Sequence, residues 1–155
     1  MLDVQNKQHW NQWAPLGLRL VIGYGFLVHG LAKLGRGPEK FAAVLDWMGV
    51  PFAHAMAWLT TLTEILGGLA IMSGAFVTLA SIPLLIIHVV AIFGVHLKYG
   101  FSSVNTIGLT ADGPQFGPPG FEVNLLYIAG LAAIVLGGGA GAWSIDRALA
   151  RRISR

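Results

Sequence analysis

At 155 residues the chain has the length of one domain, but 55% of it is hydrophobic and only 11% is charged, against about 25% charged in soluble domains, so the composition argues against a soluble fold. The formal charge of +3 is small and comes mainly from the tail, where Arg147, Arg151, Arg152 and Arg155 suit an anionic membrane surface; no basic face with interleaved aromatics is offered to nucleic acid. There is no cysteine, which rules out disulfides, thiolate metal ligands and cysteine nucleophiles.

The chain opens with a polar segment, residues 1–14, that holds Trp10 and Trp13. It reads as an interfacial strap and not as a cleavable signal peptide, because its first residues are polar and no small-residue cleavage site follows the first apolar block. Pro15 suits the first turn of a helix. A first span is expected over residues 16–34, with Arg19, Tyr24, His29 and Lys33 and with glycines at 17, 23, 25 and 30 that allow close approach by another helix. Lys33 is expected to snorkel to the outer interface. After Gly35–Arg36–Gly37–Pro38, residues 39–48 space Phe41, Val44, Leu45 and Met48 as a helix too short to span, so it is placed at the interface. Gly49–Val50–Pro51 ends it. A second span is expected over 56–72, a turn at Ser73–Gly74, and a third span over 77–96 with Pro83 inside. Residues 97–120 form a long polar connection that Asp112–Gly113–Pro114 and Gly117–Pro118–Pro119–Gly120 bar from being a regular helix. A fourth span over 121–136 ends at Gly137–Gly138–Gly139, and Trp143 fits an interfacial anchor.

The predicted fold is therefore all-α: a polytopic membrane protein with four transmembrane helices in an antiparallel bundle and one short interfacial helix. Its parts are the strap 1–14, the membrane domain 15–146 and the basic tail 147–155. Four spans put both termini on one side, with six Lys and Arg there (Lys7, Arg19 and the four tail arginines) and four opposite (Lys33, Arg36, Lys40, Lys98), so cytoplasmic termini are expected.

The ionisable residues inside the spans are the functional candidates, since a charge at the bilayer centre costs ~3 kcal/mol or more and marks an inward-facing site. Glu64 and His88 are equidistant from Phe76 at the turn between spans two and three, so both lie about 15–18 Å from it. If both face the bundle interior a carboxylate–imidazole bond can join them, either as a proton-relay or quinone-contacting pair or as a structural bond between helices. His29, His96 and Glu122 lie towards the outer face, where they can bind a polar head group such as a quinone carbonyl or simply meet water. A His–His–carboxylate set is also metal-ligating chemistry, but three helices without a local motif specify no metal. Two histidines such as His29 and His88 can ligate haem, and nothing in the spacing demands it. Arg19 and Asp146 are expected to form a structural ion pair at the inner face, tying the first helix to the last. His9 and His54 are read as surface residues.

In order, Phe26–Leu27–Val28–His29–Gly30–Leu31–Ala32–Lys33, Met48–Gly49–Val50–Pro51, Glu64 with Gly67–Gly68–Leu69, His88, His96, Gly120–Phe121–Glu122–Val123–Asn124–Leu125–Leu126–Tyr127 and Ser144–Ile145–Asp146 resemble the DoxX family of small bacterial membrane proteins. The resemblance runs from about Leu18 to Asp146 and rests on the order and spacing of the pieces. It implies a four-helix inner-membrane protein, and a family that includes the DoxD-type subunit of thiosulfate:quinone oxidoreductase. It supplies no agreed set of catalytic residues.

The preferred function is a small subunit of a redox or respiratory complex that contacts quinone in the outer half of the bundle, with His29, Glu64, His88, His96 and Glu122 lining the site. Catalytic roles fall to Glu64 and His88. The histidines hydrogen-bond the quinone, and Glu64 or Glu122 exchanges protons. No covalently bound cofactor is expected. The expected partners are lipid, other membrane or periplasmic subunits, and in one arrangement a second copy. The alternatives are a non-catalytic scaffold or assembly subunit and a small-solute carrier; against the carrier, no broken helix pair is evident.

Overall fold

The computed structural model describes residues 12–153; the strap expected over 1–14 and His9 lie largely or wholly outside them. Six helices and one hairpin follow in order: α1 (Ala14–Arg36), α2 (Pro38–Trp47), α3 (Ala53–Ser73), α4 (Val77–Ala91), β1 (Thr106–Thr110), β2 (Gly113–Phe116), α5 (Glu122–Leu136) and α6 (Ile145–Ile153). The apolar blocks become helices, which satisfy every backbone N–H and C=O within the segment, as lipid requires. Prolines sit in the first turns of α1 and α2, where no intrahelical N–H is lost.

Among the described residues three helices are long and apolar enough to cross a membrane: α1, α3, and α4 with its continuation to Tyr99. That continuation loosens into a π turn, Ile92–His96, and a 3-10 turn, Leu97–Tyr99. The fourth expected span, α5, is apolar but has only 15 residues, about 22 Å of helix against a hydrocarbon core of ~30 Å.

Glycine sets the approach of α1 to α3. A Cβ on Gly68 would lie 2.7 Å from both the Gly23 carbonyl and the Leu27 amide nitrogen, and one on Gly30 would lie 2.9 Å from the Ile65 amide nitrogen. The two backbones therefore touch along the length expected from the small residues of the first span. α5 packs on α4 and α1, and Phe26, Leu84, Leu131 and Ile134 fill the space between them with no exposed surface. A smaller cluster of Ala42, Leu45 and Ala57 seats α2 on α3.

One expectation is corrected at the end of the bundle that holds the termini. Arg19 and Asp146 do not pair directly. The fully buried Arg19 guanidinium donates to carbonyls at the end of α3, Ile71 (3.1 Å) and Met72 (3.0 Å), and to those after α5, Ala140, Ala142 (3.3 Å) and Trp143 (3.1 Å). Five donors in a planar fork suit it to helix-end carbonyls. Asp146 turns instead to the start of α4: its carboxylate accepts from the amides of Phe76 (2.8 Å) and Val77 (3.3 Å), while its own N–H donates to the Gly74 carbonyl. The pair thus serves two different helix ends, Arg19 the carbonyl end of α3 and Asp146 the amide end of α4. Residues 145–153, which include most of the basic tail, form the amphipathic helix α6.

The long connection is more ordered than its prolines imply. Ala111–Asp112 make a two-residue turn between antiparallel β1 and β2, with a bulge between Thr106 and Gly108. The base is cinched by Gly117 N–H to Asn105 (2.7 Å) and Gly120 N–H to Ser102 (2.9 Å). Any Cβ on Gly120 would overlap the carbonyls of Gly100 and Phe101, so only glycine closes this base.

Candidate functional site

A cleft of about 770 Å³ lies between α1, α2, α3, α4 and the start of α5. Its wall is mostly apolar, and its polar lining includes His29, Lys33, Glu64, His88, His96 and Asn124. Leu59, Pro83, Ile86 and Val90 also line it and are exposed, so part of its rim is the outer surface of α3 and α4.

Glu64 is almost completely buried, yet its partner is not His88. Lys33 Nζ stands 2.5 Å from Glu64 Oε2, with side-chain exposures of 22% and 3%. Lys33 therefore does not snorkel outward as expected. Gly30 packs level with Ile65, which puts Lys33 one turn further out on α1, and a helical side chain leans back towards its own N-terminus, down to the depth of Glu64. The ammonium also lies 4.6 Å from the centre of the Phe41 ring, a cation–π contact that brings α2 over the pair.

His88 reaches the same cleft from α4 and bonds to α5. Its Nδ1 accepts from the Asn124 side-chain N–H₂ at 3.0 Å, an arrangement that leaves the proton on Nε2. Among the described residues, His88 Nε2 is the one buried side-chain polar atom without a partner, although buried polar groups are normally satisfied. The imidazole is gripped by Phe26 (5.0 Å) and Tyr127 (4.7 Å), and Tyr127 also meets the His29 ring at 5.8 Å.

His96, at the end of the π turn, donates from Nδ1 to the Pro119 carbonyl at 2.9 Å, which joins the base of the hairpin to the near end of the cleft. Glu122 is turned away. Its carboxylate accepts from the Ser103 amide at 2.9 Å while Ser103 Oγ accepts from the Val123 amide at 3.2 Å, a reciprocal cap on the first turn of α5. This corrects its expected place in the ligand set. No group of three or more His, Asp or Glu stands close enough to hold a metal among the described residues. His54 is exposed.

Of the residues singled out in the sequence, His29, Glu64, His88 and His96 share the cleft, while Glu122, Arg19 and Asp146 lie at helix ends. Lys33 was placed at the interface and not in the site, and Asn124 and Tyr127 were not singled out as site residues. Asn124 and Tyr127 are polar, three residues apart in an apolar helix, and so share a face; that spacing was the available signal.

The family model described as DoxX matches residues 14–97. A relative from Mycobacterium tuberculosis, described as an uncharacterized membrane protein, is 31% identical over 143 residues, covering 87% of this chain and 80% of its own length. No solved structure matches the chain.

Proposed function

The chain belongs to the DoxX family, and from that premise we propose that it is a small integral subunit of a membrane redox complex, binding quinone in the cleft beside Lys33, Glu64 and His88. The observation that carries this reading is the buried, unpartnered His88 Nε2 in a mostly apolar cleft. An imidazole N–H matches a quinone carbonyl, and apolar walls with few convergent polar groups match its ring and tail. The exposed rim on α3 and α4 faces acyl chains once these helices cross a bilayer, which suits a ligand dissolved in lipid. A bound quinone supplies an acceptor for electrons and protons. Within the chain, Asn124 fixes the His88 tautomer, His88 holds the carbonyl, Lys33 offers a cation beside it, and Glu64 exchanges protons with the head group.

In the same reading α5 crosses the membrane as a fourth span, extended at its inner end by the glycine-rich residues 137–141. Both termini are cytoplasmic, the membrane is the bacterial inner membrane, and the hairpin and α2 face the far side, where they meet partner subunits. The Lys33–Glu64 bond favours one second reading, a non-catalytic scaffold subunit, because an ion pair accounts for a buried carboxylate without any turnover.

Protein purified in mild detergent separates the two. A lipid extract containing quinone, reduced about tenfold or more by His88→Ala and by Glu64→Gln in protein that keeps its helical circular dichroism, is the expected result. Quinone retained at wild-type levels by both variants overturns the site. An extract without quinone, from protein tightly bound to a larger enzyme, supports the scaffold.

A further inference from the structure

The inner end of the molecule carries a second cavity that the quinone reading does not use. It measures about 340 Å³ and is lined by Trp13, Trp143, Ser144, Arg147 and Arg151 among others. Arg147 and Arg151 are four residues apart on α6 and so share one face of it. Arg147 donates to the Gln12 side-chain oxygen at 2.9 Å, which positions the guanidinium and leaves further N–H groups to donate. Asp146, the acidic residue of α6, is turned to the Phe76 and Val77 amides.

Three further features place this cavity at a lipid–water boundary. Trp13 and Trp143 pair with ring centres 6.0 Å apart, and tryptophan belongs at the head-group level. Trp143 is 80% exposed at a left-handed φ of 52°, a backbone that a residue with a Cβ holds only against strain; the Arg19 bond to its carbonyl secures it. α6 also presents Ile145, Leu149 and Ile153 as an exposed stripe, with Arg147 and Arg151 on its other side, the pattern of a helix lying in the interface plane.

We propose that this end is a binding site for an anionic phospholipid, with its phosphate against Arg147 and Arg151, its glycerol region between Trp13 and Trp143, and α6 lying in the same leaflet. The site goes beyond the quinone reading and does not depend on it. The phosphate chemistry selects the head group, and the apolar stripe of α6 selects a lipid over a free phosphate.

Native mass spectrometry of the full chain in detergent, titrated with phosphatidylglycerol and phosphatidylcholine of the same acyl chains, tests it. Preferential retention of phosphatidylglycerol is expected. Arg151→Gln weakens that preference about fivefold and Arg147→Gln/Arg151→Gln about 25-fold, while Arg36→Gln/Lys40→Gln, at the opposite end, leaves it unchanged. Equal retention of the two lipids overturns the proposal, as does a preference that survives the double variant or falls equally in the Arg36/Lys40 control. Displacement of the lipid by an equal concentration of inorganic phosphate overturns it too, because the ligand is then phosphate and not lipid. Should the double variant unfold, the Arg151→Gln result alone decides.

Discussion

Lys33 and Glu64 are worth different amounts together and apart. Removing Lys33 strands a carboxylate that is 3% exposed, and breaking a buried pair in this way costs 3–5 kcal/mol; the partial exposure of Lys33 puts the expected loss at the low end, about 3 kcal/mol for Lys33→Met. Lys33→Met/Glu64→Gln removes the stranded charge and should recover most of that loss. Thermal unfolding in detergent measures both, and a double variant no more stable than Lys33→Met shows that the two residues do not act as a unit. The sequence marked Glu64 and His88 as buried and at equal depth because depth follows from counting residues from Phe76 at a fixed rise. It could not give their partners, which depend on how each helix is rotated about its axis. That rotation is set by Gly23, Gly30 and Gly68 on one side and by Asn124 on the other, so in place of the candidate Glu64–His88 bond there are two bonds to other helices.

At the scale of elements, the contact of α1 with α3 tolerates no added atoms where the backbones meet. Gly68→Ala places a methyl 2.7 Å from the Gly23 carbonyl oxygen, and overpacking of this kind costs about 1–3 kcal/mol. Gly17→Ala on the same helix pair meets nothing within 4 Å and should be neutral or slightly stabilising, since alanine is the better helix former. A comparison of their melting temperatures checks this; equal effects would mean that the close approach is not where the stability lies. The ends of α1, α2, α3 and α5 were legible in the sequence within about three residues, because apolar runs and Gly/Pro punctuation fix where each begins and stops, whereas α4 ends at Ala91, five residues before the expected end, and gives way to a π turn. The hairpin was not. Asp112–Gly113 is a turn signal, but Pro114 and the Gly–Pro run after it lack the alternation of a strand, and β2 is held by its base and not by an apolar face. α6 was hidden because its arginines read as a charged tail until its Ile145–Leu149–Ile153 spacing is laid on a helix.

For the whole molecule, the number of crossings is the property from which orientation and partner access follow. The chain has no cysteine, so single cysteines at Arg36, Asp112 and Arg152 report topology without background. With α5 crossing, a membrane-impermeant thiol reagent applied from outside labels positions 36 and 112 and spares 152 until the membrane is opened. Labelling of 152 from the same side as 112 would mean that α5 does not cross. The corner between α3 and α4 has a consequence of a different kind. Its amide cap, Asp146, lies 70 residues beyond Phe76, and the carbonyls that share Arg19 with α3 come from residues 140, 142 and 143. During synthesis the first three long helices are complete well before either arrives. Until the ribosome has delivered the region around residue 146, Arg19 has only two of its five acceptors and α4 begins without its cap, so the order of translation makes the last stretch of chain the closing step for the first.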